Sequence, residues 1–375
     1  MTQGVTNRKF KICLVAISLA KGGAERSVAM LSQMLTAKGH EVHVVVLTDA
    51  VDYPFEGTLF NLGKFKKERE SQFGRIRRFR KLRKYLSAQD FDVIIDHRVK
   101  NSLPRERYYK RWVYAGIPKI YVVHSSKLTN YLTEKPSAMA RIYNRNVATV
   151  AVSEYIQKHI LENRKITNSH VIHNAYNPSW AEHAHVLPSE LNDKQYILSY
   201  GRLNDDIKDF QFLIHSFNHS GLWKKGIVLV ILGEGKDEAK LKRLVQSLPC
   251  NKLVQFHPFT SEPFGYIANA RFVTLTSHYE GFPMVLVESL SLGTPVVSLD
   301  IPSGPSEVIT HRKNGLLVEK REVPLFSEAM RLLFKNERLY VQCKHEAAAS
   351  VSQFSMKAIA EQWNQLLQDE VHRPE

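Results

Sequence analysis

The sequence predicts an α/β protein of two doubly wound, Rossmann-like parallel-sheet domains facing each other across a cleft, with helices closing the chain. Three observations predict it. Short β-branched, apolar runs alternate with longer helical patterns along the 375 residues, this series restarts near residue 195, and the strands stop after about residue 322. A chain of this length has room for two ordinary domains, each burying its own core.

Residues 11–17 open the series: after Lys11 the run is continuously apolar, as in a strand buried on both faces. Lys21-Gly22-Gly23 leads into a helix over 24–38 that Gly39 ends, and residues 41–47 form a second strand, completing a βαβ unit. Further strands are expected at 58–62, 92–96, 119–123, 149–152 and 170–173. A polar stretch with Asn and Pro follows and reads as an interdomain linker. The second series places strands at 195–200, 227–232, 253–256, 272–276, 295–299 and 316–318. The expected organisation is therefore a first domain over 1–174, a linker over 175–194 and a second domain over 195–352. A helix over 353–375 is expected to pack back towards the first domain.

Composition narrows the class. Apolar content of 43% and charged content of 24% are those of a globular protein. Cys13, Cys250 and Cys343 have no knuckle or framework spacing and read as reduced thiols. The apolar run 10–20 follows Arg8 and Lys9 like a short signal segment, but at about 11 residues it is too short to span a bilayer. A buried first strand explains it, and no transmembrane anchor is expected. The net charge of +15 is uneven: between Lys64 and Lys84 stand eleven Lys/Arg against two Glu. Such a cluster suits an anionic partner. Phe73, Ile76, Phe79, Leu82 and Leu86 give the same stretch an apolar helical face.

Candidate site residues fall at strand ends. Ser277-His278-Tyr279-Glu280-Gly281-Phe282-Pro283 follows the 272–276 strand, and Pro283 suits the first position of a helix that Gly293 ends. Glu280 then lies at that helix N-terminus. Glu288 lies within it among apolar neighbours, where a carboxylate must be paired or hydrogen-bonded. Vicinal ribose hydroxyls are apt partners, since an ionised carboxylate only accepts. Gly201-Arg202-Leu203 follows the 195–200 strand, with Lys208 at the start of a helical stretch; two cations at a strand–helix junction suit a diphosphate. Gly233-Glu234-Gly235 ends the 227–232 strand, and Ser303-Gly304-Pro305 caps another helix. Taken singly, each also fits an ordinary role: a structural salt bridge, solvated basic residues, a turn, a cap.

Together the ordered set Gly22-Gly23-Ala24-Glu25, Gly201-Arg202-Leu203 with Lys208, Gly233-Glu234-Gly235, Glu280-x7-Glu288, Gly293-Thr294-Pro295-Val296-Val297 and Asn314-Gly315 resembles glycosyltransferase family 4, over nearly the whole chain. The resemblance implies the GT-B fold and retaining transfer from a nucleotide sugar. It implies that Arg202 and Lys208 bind the donor diphosphate, Glu288 the ribose and Glu280 the transferred sugar. The backbone of Gly281, Phe282, Pro283 and Met284 approaches sugar and phosphates, and the stretch His257-Pro258-Phe259-Thr260 borders the nucleobase, with Phe259 as a contact. His124, after the 119–123 strand, resembles the family's active-site histidine near the sugar's outer hydroxyls. Ser289 replaces the Ala common after the second glutamate.

A same-face attack follows from this reading, with charge on the leaving phosphate met by Arg202, Lys208 and backbone amides near Gly22-Gly23 and Gly281. Asp90-Phe91-Asp92 sits where a strand begins and reads as a surface turn; neither metal nor other cofactor is expected. Arg98 and Lys100, at a strand end, are candidate contacts to an anionic acceptor. The expected donor is a UDP-sugar, with GDP-mannose as the other option, and the expected acceptor a glycan or glycolipid of bacterial surface polysaccharide or lipopolysaccharide assembly. The basic stretch is expected to hold the enzyme peripherally on the anionic cytoplasmic leaflet. A sugar-nucleotide epimerase or sugar synthase of the same fold is one alternative. A basic nucleic-acid-binding protein is another, but no RNA-binding signature accompanies the charge, so no nucleic-acid partner is expected.

Overall fold

The computed structural model describes residues 8–132, 135–186 and 189–371. Outside them lie 1–7 and 133–134 of the expected first domain, 187–188 of the expected linker and 372–375 of the expected closing helix. The chain divides into two compact units, Met1–Ala175 with Met356–Glu375, and Tyr176–Ser355.

In the first unit, β1 (Lys11–Ala16), β2 (Glu41–Val46), β3 (Thr58–Asn61), β4 (Val93–Asp96), β5 (Lys119–Val123), β6 (Ala148–Ala151) and β7 (Ser169–Val171) form a parallel sheet ordered β3-β2-β1-β4-β5-β6-β7. In the second, β8 (Tyr196–Tyr200), β9 (Val228–Leu232), β10 (Val254–His257), β11 (Phe272–Leu275), β12 (Val296–Leu299) and β13 (Gly315–Val318) form a parallel sheet ordered β10-β9-β8-β11-β12-β13. Every strand expected from the sequence is present, its ends within two residues of the expectation. Each order runs outward from its first strand and then reverses, which is double winding.

The central strands are apolar because both of their faces are buried. All of β9 is buried, and β1 is buried after Lys11. In the first unit the helix Gly23–Ala37 turns Val28, Leu31, Met34 and Leu35 inward and ends where Gly39 takes φ +82. In the second, Phe210, Leu213 and Phe217 of helix Phe210–Ser220 share a core with Phe326, Met330 and Leu333 of helix Val323–Lys335.

The helix Met356–Glu370 belongs to the first unit. It buries Ile359, Trp363 and Leu367 and meets helix Gly23–Ala37. Asn364 Oδ1 lies 3.1 Å from His40 Nε2, and Gln368 exchanges hydrogen bonds with the Arg8 backbone.

Three details refine the sequence reading. Within the stretch expected as a linker, Trp180 stacks on Phe264 at 5.0 Å and Leu191 is buried, because a Trp and a Leu in a polar stretch still find the apolar surface beside them. Pro283 is the N-cap of helix Met284–Ser291 instead of its first residue. In helix Gln72–Ala88, Leu82 and Leu86 are buried, but Phe73 is 84% exposed and Ile76 46%. Arg78 takes the inward position instead, paired with both oxygens of Glu70 at 2.8 and 2.9 Å.

Candidate active site

In the second unit the sheet order reverses between β8 and β11, so the loops after these strands part and leave room at their carboxyl ends. Arg202, exposed, and Lys208 follow β8; Glu280 follows β11. The structure brings two of these together directly: Lys208 Nζ donates to Glu280 Oε1 at 2.6 Å, and Ser277 Oγ donates to the same oxygen at 2.7 Å. Lys208 and Glu280 side chains keep 19% and 15% of their exposure, enough to meet a ligand while remaining fixed.

Glycine shapes the neighbouring loops. Gly233, after β9, holds φ +146, and a Cβ there would sit 2.0 Å from the Gly201 carbonyl oxygen. The two loops are joined by a Leu203 N–H bond to the Glu234 carbonyl at 2.8 Å. Gly304, at φ +100, leaves no space for a Cβ against Pro283, and Ser303 Oγ donates to the Gly281 carbonyl at 2.6 Å. The Gly281–Pro283 backbone is thereby pinned, with Phe282 packed on Phe354. Met284 begins the helix and is half-buried.

Glu288 is 3% exposed, as its apolar flanks imply, and accepts the Tyr200 hydroxyl at 2.7 Å. Tyr200 ends β8, so this carboxylate is held at the same strand end as Arg202. Phe259, beyond β10, is 41% exposed and has its ring available for stacking.

Comparison with known proteins follows this geometry. Residues 21–180 match the family model for Glycosyltransferase Family 4, and residues 187–350 that for Glycosyl transferases group 1. The chain belongs to glycosyltransferase family 4. It is a glycosyltransferase with the GT-B fold. A Campylobacter jejuni N-acetylgalactosamine-N,N'-diacetylbacillosaminyl-diphospho-undecaprenol 4-alpha-N-acetylgalactosaminyltransferase is 26% identical over 93% of this chain and 97% of its own. An uncharacterized Haemophilus influenzae glycosyltransferase is 27% identical over 47% of this chain, so that this chain spans about half (49%) of that relative's length. Among solved structures, Anabaena HepE in complex with UDP and glucose superposes with a TM-score of 0.76, at 18% identity, covering 96% of this chain and 99% of that one.

In the first unit of this family 4 enzyme, Gly22 caps helix Gly23–Ala37 just beyond β1. His124, at the end of β5, is half-buried and stacks on His97 from the end of β4, with 2.9 Å between His124 Nε2 and His97 Nδ1. Burial lowers both imidazoles and the Lys100 ammonium adds to it; His124 falls to about 3 and His97 well below its usual value. Both rings are therefore held neutral near pH 7.

Arg98 and Lys100 are not acceptor contacts. Each is fully buried, at 2% and 0% exposure, because its charge is answered inside the fold. Arg98 donates to Asp96 at 2.7 Å and to Glu106 at 3.0 Å and lies 3.4 Å over the Tyr109 ring. Lys100 Nζ donates to the Asp96 and Arg98 carbonyls at 2.9 and 2.7 Å. Burial pushes the Asp96 carboxyl up, yet Arg98 and Lys100 outweigh it and bring it to about 2. Burial also brings Lys100 down to about 8. Of the Asp-x-Asp, Asp90 lies in a turn at φ +51, while Asp92 is buried, paired with Arg8 at 2.8 Å and accepting the Lys11 N–H.

Sequence reasoning assigned no role to Tyr200 or His97, and Ser277 appeared only as part of the stretch before Glu280. All three stand at or just beyond strand ends, the one signal that could have marked them.

Removing one partner of a buried ion cluster strands the others. Arg98→Met should therefore cost about 3–5 kcal/mol in urea unfolding, whereas the exposed Arg80→Met should stay within about 0.5 kcal/mol. Equal effects would place Arg98 at the surface.

Proposed function

We propose that this chain transfers a hexose or N-acetylhexosamine from a UDP-sugar, with retention, to a glycan or glycolipid acceptor of bacterial surface polysaccharide or lipopolysaccharide assembly. The observation that carries the reading is the Lys208–Glu280 pair at the strand ends where the second sheet reverses, beside the buried carboxylate of Glu288. A cation for diphosphate and carboxylates for hydroxyls stand together there, as nucleotide-sugar chemistry requires.

In this reading Arg202 and Lys208 hold the diphosphate and Glu288 the ribose, with Tyr200 fixing one of its oxygens. Glu280 takes a hydroxyl of the sugar, the pinned backbone of Gly281–Pro283 and Met284 lines sugar and phosphates, Gly233 lets the β9 loop approach, and Phe259 borders the base. Gly22 and Gly23 contribute backbone amides, and His124, neutral and oriented by His97, hydrogen-bonds an outer sugar hydroxyl. The anomeric carbon–oxygen bond breaks as diphosphate leaves; the acceptor oxygen bonds to the same face and its proton passes to the departing phosphate oxygen. The charge growing on that oxygen is met by Arg202 and Lys208, so the reading assigns no step to a metal. The UDP bound to HepE and the lipid-diphosphate acceptor in the Campylobacter relative's name support the donor and acceptor classes.

No helix among the described residues is long and apolar enough to cross a membrane. We place the enzyme peripherally on the cytoplasmic leaflet through the stretch from Lys64 to Lys84. The exposed Phe73 and Ile76 beside Arg75, Arg77, Arg80 and Lys81 suit an anionic interface.

A thermal-shift panel of UDP-, GDP- and ADP-sugars should show stabilisation by a UDP-sugar, and Glu288→Gln should abolish that shift and sugar transfer without unfolding the chain. No shift from any donor, donor isomerisation without transfer, or full transfer by Glu288→Gln would contradict the assignment. In flotation with phosphatidylglycerol vesicles, each glutamine replacing Arg77, Arg80 or Lys81 should weaken binding about fivefold, since each such charge is worth about 1 kcal/mol. Equal binding to phosphatidylcholine vesicles would remove the membrane assignment and leave the donor site standing.

A further inference from the structure

Lys208 sits eight residues beyond the end of β8, at the close of a helical turn, Asp205–Lys208, of only four residues. A turn so short has little stability of its own. What holds Lys208 in place must come from elsewhere in the fold.

It comes from the β11 loop and from Arg321, three residues beyond β13. The Thr276 hydroxyl reaches the carbonyls of Lys208 and Asp209 at 3.0 and 3.1 Å, and the His278 N–H donates to the Ile207 carbonyl at 2.7 Å. Arg321 closes the assembly. Its Nη1 donates to Asp209 Oδ2 at 2.5 Å and to the Thr276 carbonyl at 2.8 Å, and its Nη2 to the Ser277 carbonyl at 2.6 Å. The guanidinium also lies 5.5 Å from the Phe212 ring. One planar, multidentate cation thus bonds the residue after Lys208 and the segment three residues before Glu280.

Asp209 is the charge that this cation answers, with His278 Nε2 also 3.4 Å from the same carboxylate oxygen. It adopts φ +51, a left-handed conformation that disfavours most side chains, and its carboxylate caps helix Phe210–Ser220 through the Phe212 N–H. Its charge stands next to Lys208 in the chain. Left unanswered, that carboxylate competes for Lys208 and repels an incoming diphosphate.

We propose that Arg321 is a positioning residue for donor binding. It locks the Lys208 turn onto the loop that carries Glu280, and it cancels the Asp209 charge that would oppose a diphosphate. The inference rests on the donor reading above and adds to it a residue that touches no substrate.

Calorimetry with UDP and UMP on Arg321→Met, Arg321→Lys and Asp209→Asn/Arg321→Met tests it, with folding checked by circular dichroism. Arg321→Met should weaken UDP about tenfold or more while UMP changes less than about threefold, since misplacement of a binding group costs the contacts it makes. Asp209→Asn in that background should recover part of the UDP affinity by removing the stranded charge, which a merely structural role would not allow. Arg321→Lys keeps the charge but cannot span all the acceptors, and should fall between wild type and Arg321→Met; it serves alone if the methionine variant fails to fold. Equal loss of UDP and UMP, or unchanged UDP affinity in either single variant, overturns the proposal. A wild-type chain that binds none of UDP, GDP and ADP fails the donor reading itself, a distinguishable result.

Discussion

The short contact between Lys208 and Glu280 depends on a constraint that shapes the whole second unit: a parallel sheet buried on both faces leaves polar chemistry only at its strand ends. β9 is buried throughout, and β8 and β11 are entirely covered. Their carboxyl ends release loops in opposite directions because the strand order reverses between them. A cation from one loop and a carboxylate from the other meet at 2.6 Å in the space this opens. The glycines follow from the same crowding. Gly233 lies against the Gly201 carbonyl and Gly304 against Pro283, where any side chain would push the loops apart.

The first unit obeys the same sheet logic and uses its charges differently. At the ends of β4 and β5 stand two stacked histidines, lowered by burial, and behind them a closed cluster of Asp96, Arg98, Lys100 and Glu106. Such a cluster gains little net stability over apolar packing but is costly to break. Its contribution here is to fix the chain direction just after β4, where His97 meets His124. A dense run of solvent-facing charge lies on helix Gln72–Ala88, among exposed Phe73 and Ile76.

Much of this was legible in the sequence for a physical reason. Central strands buried on both faces must be apolar runs, and every strand lies within two residues of its expected place. What was not legible depends on side-chain direction. Arg98 and Lys100 occupy a strand end, as a ligand contact would, and only the fold reveals Glu106 and Tyr109 waiting behind them. Helical periodicity likewise marked an apolar face through Phe73 and Ile76 without telling whether it is covered, and Arg78 took an inward place by finding Glu70. Arg321 carries no motif, and its role arises because two chain segments distant in sequence, at Asp209 and at Thr276-Ser277, converge on one guanidinium.

The account stands most directly on Lys208 as the diphosphate's cation. Calorimetric titration of UDP into the wild-type chain and Lys208→Met, both checked for fold, tests that contact. The prediction is saturable one-site binding to the wild type and an affinity loss of about tenfold or more in the variant, as expected for a charge-assisted phosphate contact. Equal affinity in the two proteins would contradict it.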